Sequence, residues 1–268
     1  MQRMSTGYFN LLKKTSSSVS SDRSLMAKIG LTFMTKSFIF LSMKKAKLLK
    51  ILLLFWMMLI IIASFLYAKA AVGFPGETSR IMIYHVPQAW VATLAFFISM
   101  IASILYLSKR RLNADHIAVT AAELGFLFSI LATVSGSIFA KVTWGSYWNW
   151  DPRETSIVIL LMIYGAYFAL RSAVPDPERK RVFSAAYAIL AFATVPFLVF
   201  VIPRITMSLH PEDTMNPVDP QLDSRFMTVF LGAMVAYSGL FGWMFNLKYR
   251  LLKIEEKIYK GLEEWEMD

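Results

Sequence analysis

The densest chemistry in the sequence is the run Trp144-Gly145-Ser146-Tyr147-Trp148-Asn149-Trp150-Asp151, in which four of eight side chains are aromatic. Three of the chain's seven tryptophans fall within it. Packed indoles form a wide, stiff, apolar platform with N–H donors at its edge. Such a platform suits a flat hydrophobic macrocycle, and Gly145 lets a ring or a backbone approach closely. Were the segment helical, Trp144 and Trp148 would share a face at i, i+4. The competing reading is an interfacial belt, in which Trp and Tyr anchor helix ends at headgroup level. A belt accounts for one or two aromatics per helix end, and less readily for a cluster closed by Asp151-Pro152-Arg153-Glu154.

The chain has three histidines, and two of them flank this run. His85 lies in Tyr84-His85-Val86-Pro87, where a loop leads into an apolar block, and His210 lies in Ser208-Leu209-His210-Pro211. Neutral imidazole is a common ligand of haem iron. Two histidines from distant segments can therefore supply both axial positions of a haem b resting on the indoles. Taken singly, each is as readily a hydrogen-bonding residue at a membrane interface. Haem also carries two propionates, which bidentate guanidinium groups neutralise well. Arg80 and Arg153 are the nearest arginines in sequence to the two motifs, and Lys141 and Arg204 are further candidates, with headgroup contact as the alternative for each. His116 follows the basic turn Lys109–Arg111, shows no partner in the sequence, and reads as structural. Glu123 lies about two turns into an apolar block, where snorkelling is open to it, and is assigned no role.

The elements that must position these groups are membrane helices. Hydrophobic residues make up 56% of the 268 and charged residues only 17%, where soluble domains carry about 25% charged. A helix needs about 20 mostly apolar residues to cross the hydrocarbon core. Six blocks qualify: Leu48–Tyr67, Val86–Leu107, Ile117–Phe139, Ser156–Leu170 with its flanks, Val182–Ile202 and Phe226–Leu247. The fourth is short, and its outer end is expected to merge with the tryptophan loop. Unpaired backbone groups are too costly in lipid for anything but helix here. The predicted fold class is therefore all-α, a polytopic bundle of about six transmembrane helices.

Sixteen Lys and Arg residues gather on one side of these blocks and six on the other. The positive-inside rule makes the first side cytoplasmic, with both core termini inside. The loops at about 69–85, 140–155 and 203–225, which carry both flanking histidines and the tryptophans, then face out, which in a bacterial inner membrane is the periplasm. The domain reading is an N-terminal basic, Ser-rich extension over 1–47, a membrane domain over 48–247 with the tryptophan loop at 140–155, and a charged cytoplasmic tail over 248–268. Within the extension, Thr15–Ser21 reads as disordered and Leu25–Met43 as a surface-lying segment. Translation from Met43 is an equal alternative for this region. The first apolar run is long for a cleavable signal, although Ala68-Lys69-Ala70 has the small-residue pattern.

Composition also excludes functions. With no cysteine there are no disulfides, no thiolate metal sites and no thiol redox chemistry. The net charge of +10 sits beside the apolar blocks, where it serves orientation in lipid rather than nucleic-acid binding.

The run Trp144–Asp151 resembles the WWD signature of the haem-handling proteins of cytochrome c biogenesis. Arg80-Ile81-Met82-Ile83-Tyr84-His85-Val86-Pro87-Gln88-Ala89-Trp90 is similar to the approach to the second span of the CcmC proteins, haem exporter protein C. The resemblance covers roughly residues 48–247. It implies that His85 and His210 are axial haem ligands, that Trp144, Gly145, Trp148, Trp150 and Asp151 form the WWD platform, and that Arg80 and Arg153 lie near the haem. It further implies a non-enzymatic role, presenting haem to the covalent haem chaperone CcmE, with the CcmA/CcmB ABC transporter and CcmD as partners. Trp150–Thr155 looks more like the loop of the CcsA and CcmF relatives, so a CcsA-type subunit of a cytochrome c haem lyase is the second expectation. Those relatives usually carry additional histidines, which three histidines in all do not provide. A solute permease would place polar sites near the midplane, and a quinone-reactive cytochrome would need an inner haem; neither pattern is present in the sequence.

Overall fold

The computed structural model describes residues 47–70, 77–210 and 222–267. The Ser-rich stretch, the segment Leu25–Met43, the alternative start and residues 211–221 of the 203–225 loop lie outside the described residues. What is described is helical, with no strand among the described residues. The elements are α1 (Lys47–Leu66), a 3-10 turn (Thr78–Ile81), α2 (Met82–Lys109), α3 (Leu112–Trp144), α4 (Pro152–Ala173), α5 (Pro177–Pro196) and α6 (Ser224–Met267). A π turn, Phe197–Val201, carries α5 into a last short turn, Ile202–Ile205. Among the described residues, six helices are long and apolar enough to cross a membrane. By compactness the chain divides after Leu54. Residues 47–54 are helical with mostly exposed side chains, and the described residues from Phe55 on form the helical bundle.

Small residues determine which helices pack most closely. Only Arg110 and Arg111 separate α2 from α3, and Arg110 takes the left-handed conformation that reverses the chain. The two helices therefore run antiparallel. Their facing stripes are Ala92, Ala95, Ser99, Ala102 and Ser103 on α2 and Ala118, Ala121, Ala122, Gly125 and Ser129 on α3, all buried. Without a hydrophobic force between helices in lipid, such stripes let backbones approach and gain dispersion energy. The Ser99 hydroxyl donates across the interface to the Ala118 carbonyl at 2.9 Å. At Gly125 the same closeness admits the Phe96 ring, which a Cβ would meet at 2.6 Å. Phe96 in turn stacks on Tyr164 of α4, ring centroids 3.6 Å apart.

Two expectations about element ends are corrected. The second span begins earlier than Val86: the helical path starts at Thr78, so His85 sits one turn inside α2 rather than in a loop. The fourth span does not merge with the tryptophan loop. It starts sharply at Pro152, because Asp151 caps it by accepting from the Arg153 N–H while Glu154 accepts from the Asp151 N–H. This reciprocal capping box, with Pro at the first helical position, defines a helix start independently of apolar content.

The end of the bundle that carries the α2–α3 turn is laced with ion pairs. Arg171 of α4 clamps Asp115 of α3 bidentately at 2.8 and 3.0 Å, with Arg181 of α5 at 3.7 Å from the same carboxylate. His116 does have a partner, Glu256 of α6 at 3.3 Å, and Glu123 pairs with Lys248 at 2.8 Å rather than reaching alone to the interface. Both partners lie over a hundred residues away in sequence, which is why local reading does not find them.

Candidate functional site

The opposite end of the bundle collects the other polar groups. The C-terminal end of α3 carries Trp144 and stops there, because Gly145 adopts φ +84° and its N–H bonds back to the Lys141 carbonyl. A left-handed residue after the last turn is a standard helix terminator and favours glycine. The Lys141 ammonium adds to the stop by donating to the Gly145 carbonyl at 2.8 Å. The condition for Trp144 and Trp148 to share a helical face is therefore not met. Trp148 lies in the turn beyond, where its ring meets that of Trp150 edge-on at 5.8 Å. Trp150 is 78% exposed and has a positive φ of 57°, so the loop turns one large indole outward at some conformational cost.

Asp151 is the buried centre of this region, 4% exposed. One carboxylate oxygen accepts from the Arg153 N–H at 2.9 Å and from His210 Nδ1 at 3.1 Å. The other accepts from the Ser208 hydroxyl at 2.9 Å and the Leu209 N–H at 2.6 Å. A single side chain thus ends the tryptophan loop, starts α4 and docks the His210 segment. Burial opposes ionisation of Asp151, but the Arg153 and Leu209 N–H groups, the Ser208 hydroxyl and His210 outweigh it and hold the carboxyl below its ordinary value. The His210 imidazole is pushed down to about 4 by burial, with Asp151 opposing and the charges of Arg153 and His85 adding. It is therefore neutral at pH 7. Its ring also packs edge-on against Trp144, centroids 4.8 Å apart, and Trp144 in turn meets Phe139 at 5.4 Å.

His85 reaches the same end from α2. Its Nδ1 lies 3.0 Å from the Ser135 hydroxyl of α3. Its ring fills the space over Gly136, where a Cβ would stand 2.9 Å from Cε1. Beside it, Pro87 lies inside α2 and lacks the N–H that would bond one turn back. The basic residues are engaged in different ways. Arg80 is only 14% exposed and ties the start of α2 to the end of α1, donating to the Ser64 and Ala68 carbonyls and pairing with Glu77. Arg204 donates to the Phe200 carbonyl at 2.9 Å. Arg153 is exposed at the first turn of α4, and its charge bears on both His85 and His210.

Ser135, Gly136, Ser208 and the docking role of Asp151 escape a sequence reading. A serine–glycine pair in an apolar helix signals close approach of something, but only the fold shows that this is the His85 ring. Chemically, the end of the bundle offers two neutral-capable imidazoles, each using Nδ1 for a protein partner, beside a cluster of indoles. That donor set fits haem iron, since a ligating histidine characteristically engages its other nitrogen with an oxygen.

Comparison with known proteins points the same way. The chain is 34% identical to Heme exporter protein C of Bradyrhizobium diazoefficiens over 62% of its own length and 63% of the relative. It is 27% identical to Heme exporter protein C of Haemophilus influenzae over 68% of its length and 74% of the relative. It also matches the cytochrome c biogenesis protein CcsA of Oenothera biennis, 34% identical over 35% of this chain and 28% of that one. The matched stretch thus spans under two thirds of the Bradyrhizobium protein. Residues 29–262 match the family described as Heme exporter protein C, and the chain belongs to that family.

Proposed function

We propose that this protein takes part in cytochrome c maturation by holding haem b as cargo at the periplasmic face of the inner membrane and presenting it to a covalent haem chaperone. The observation that carries the reading is the arrangement of the two histidines. His85 from α2 and His210 from the segment beyond α5 both stand at the tryptophan-loop end, each with Nδ1 engaged by a protein oxygen. In this reading both Nε2 atoms are left to ligate iron. Trp144, Trp148 and Trp150 supply the apolar shelf, Gly145 the turn that ends α3, and Asp151 the anchor that keeps His210 in place. Arg153, exposed beside the loop, is the first candidate for a propionate, and Arg80 holds the frame from which His85 projects. When bound, haem brings its own iron chemistry; the protein's part is to hold, orient and shield it.

Family membership supports the cytochrome c biogenesis role, and the paired ends of the bundle support the orientation. The ion-paired, Lys- and Arg-rich end faces the cytoplasm by the positive-inside rule, and His85 and His210 then face out. Partners of the CcmE, CcmA/CcmB and CcmD kinds complete the proposal, as does a membrane domain over 48–247 with a short charged tail. No residue is assigned a catalytic role. The test is to purify the protein alone in detergent and measure haem content and spectrum, then repeat with a tagged haem chaperone. A b-type haem near one per chain and its transfer to the chaperone are expected; a preparation that takes up no haem contradicts the reading.

The match to CcsA keeps a second reading in view, a subunit of a haem lyase acting directly on an apocytochrome. Co-purification with a large soluble-domain partner and attachment of haem to a Cys-X-X-Cys-His peptide without a chaperone would favour it.

A further inference from the structure

We infer that Ser135 and Gly136 form a positioning pair that selects the tautomer of His85 and aims its Nε2. The inference rests on the haem-ligand reading above and deepens it. A serine hydroxyl has one proton to give. The Ser135 oxygen lies 2.8 Å from the Leu131 carbonyl one turn back, against 3.2 Å from Ala132 and 3.3 Å from the Gln88 side-chain oxygen. The shortest acceptor is thus the helix's own backbone. This back-bond is a common fate of serine in a membrane helix. With its proton spent there, the hydroxyl oxygen presents lone pairs to His85 Nδ1 at 3.0 Å, so the imidazole carries its proton on Nδ1 and donates. Nε2 is then unprotonated and can ligate a metal without losing a proton first.

Gly136 supplies the geometry that Ser135 alone cannot. A Cβ at this position would lie 2.9 Å from Cε1 and 3.4 Å from Nδ1 of His85. The ring therefore lies flush on the α3 backbone, which restricts its rotation about the side chain. The pair of adjacent residues thus sets both which nitrogen is free and where it points. His210 is held differently, by a carboxylate at 3.1 Å. An anionic acceptor raises ligand basicity more than a hydroxyl does, so the two imidazoles are unequal donors.

The experiment uses the full chain in nanodiscs with nitrogen-15-labelled histidine, first without haem. With only three histidines in the chain, the His85 ring signals are assigned by their loss in His85→Ala. Long-range proton–nitrogen correlations should show His85 with its proton on Nδ1. Ser135→Ala should weaken that preference, with the Ala132 carbonyl left as an acceptor for the ring, and Ser135→Thr, which keeps the back-bonded hydroxyl, should restore it. After haem loading, Ser135→Ala and Gly136→Ala should each shift the Soret band and weaken haem retention by about tenfold, the lower range for loss of an outer partner of a metal ligand. Ser135→Thr should remain close to wild type. A wild-type His85 protonated on Nε2, or a tautomer ratio unmoved in Ser135→Ala, overturns the inference. Should His85→Ala keep the wild-type haem spectrum, the haem-ligand reading fails, and the haem-free tautomer measurement still decides whether Ser135 sets the ring.

Discussion

Replacing Asp151 by Asn tests the docking of the His210 segment with almost no change in shape. The carboxylate accepts four hydrogen bonds, two at each oxygen. An amide can satisfy only one of those pairs, since its NH2 donates. If the amide oxygen keeps the Arg153 N–H and His210 Nδ1, helix capping survives, because Asn caps about as well as Asp. The amide nitrogen then faces the Leu209 N–H and the Ser208 hydroxyl. The hydroxyl can rotate to accept, but the Leu209 N–H is left without an acceptor. An unsatisfied buried donor costs about 1–3 kcal/mol, and the remaining bonds lose their charge assistance. Together these come to about 2–4 kcal/mol against the docked segment. If haem binds only when His210 is docked, affinity falls by up to roughly thirtyfold to several hundredfold, the full loss being reached when the haem-free variant is mostly undocked. Haem titration of the reconstituted variant, followed at the Soret band, reads this directly. Wild-type affinity in Asp151→Asn, with the protein folded, would refute the assignment of Asp151 as the anchor.

The other predictions concern the same frame. Acidification should release haem between pH 6.5 and 4. A released His210 takes up a proton near its ordinary 6.5 while the docked one resists to about 4, so docking is unpenalised above 6.5 and loses about 2 kcal/mol by pH 5; retention that stays flat down to pH 4 contradicts this. Gly145→Ala should cost about 1 kcal/mol through its positive φ alone, since an added Cβ meets nothing within 4 Å; a lower Tm with an unchanged haem spectrum is expected. Asp115→Ala leaves Arg171 without its clamp and should cost about 3–5 kcal/mol, as breaking a buried pair does. Asp115 stands about 40 Å from Trp144 along α3, at 1.5 Å per residue, so the surviving folded protein should bind haem normally. A Tm within a degree of wild type would contradict the structural role of that cluster.

The spans were legible because apolar blocks of bilayer length have one solution in lipid, and the tryptophans and flanking histidines because their residue types are costly and rare. Element ends were less legible. His85 lies within α2 because Thr78–Ile81 already coils, although the preceding residues are not apolar enough to extend the block. The start of α4 depends on reciprocal bonds between Asp151 and Glu154, which hydropathy does not register. Partners across the bundle were not legible at all. Glu256 for His116, Lys248 for Glu123 and Ser135 for His85 are set by helix packing over long sequence separations. Arg80 shows the same limit: its position beside His85 suggested a propionate partner, and the fold adds a tie to the end of α1.

The most direct test of the whole account is the absorption spectrum of haem-loaded protein with His85 and His210 replaced by Ala singly and together. Two axial imidazoles predict a low-spin b-type spectrum in the wild type, an altered spectrum in each single variant, and no bound haem in the pair. A wild-type spectrum in the double variant would contradict the account.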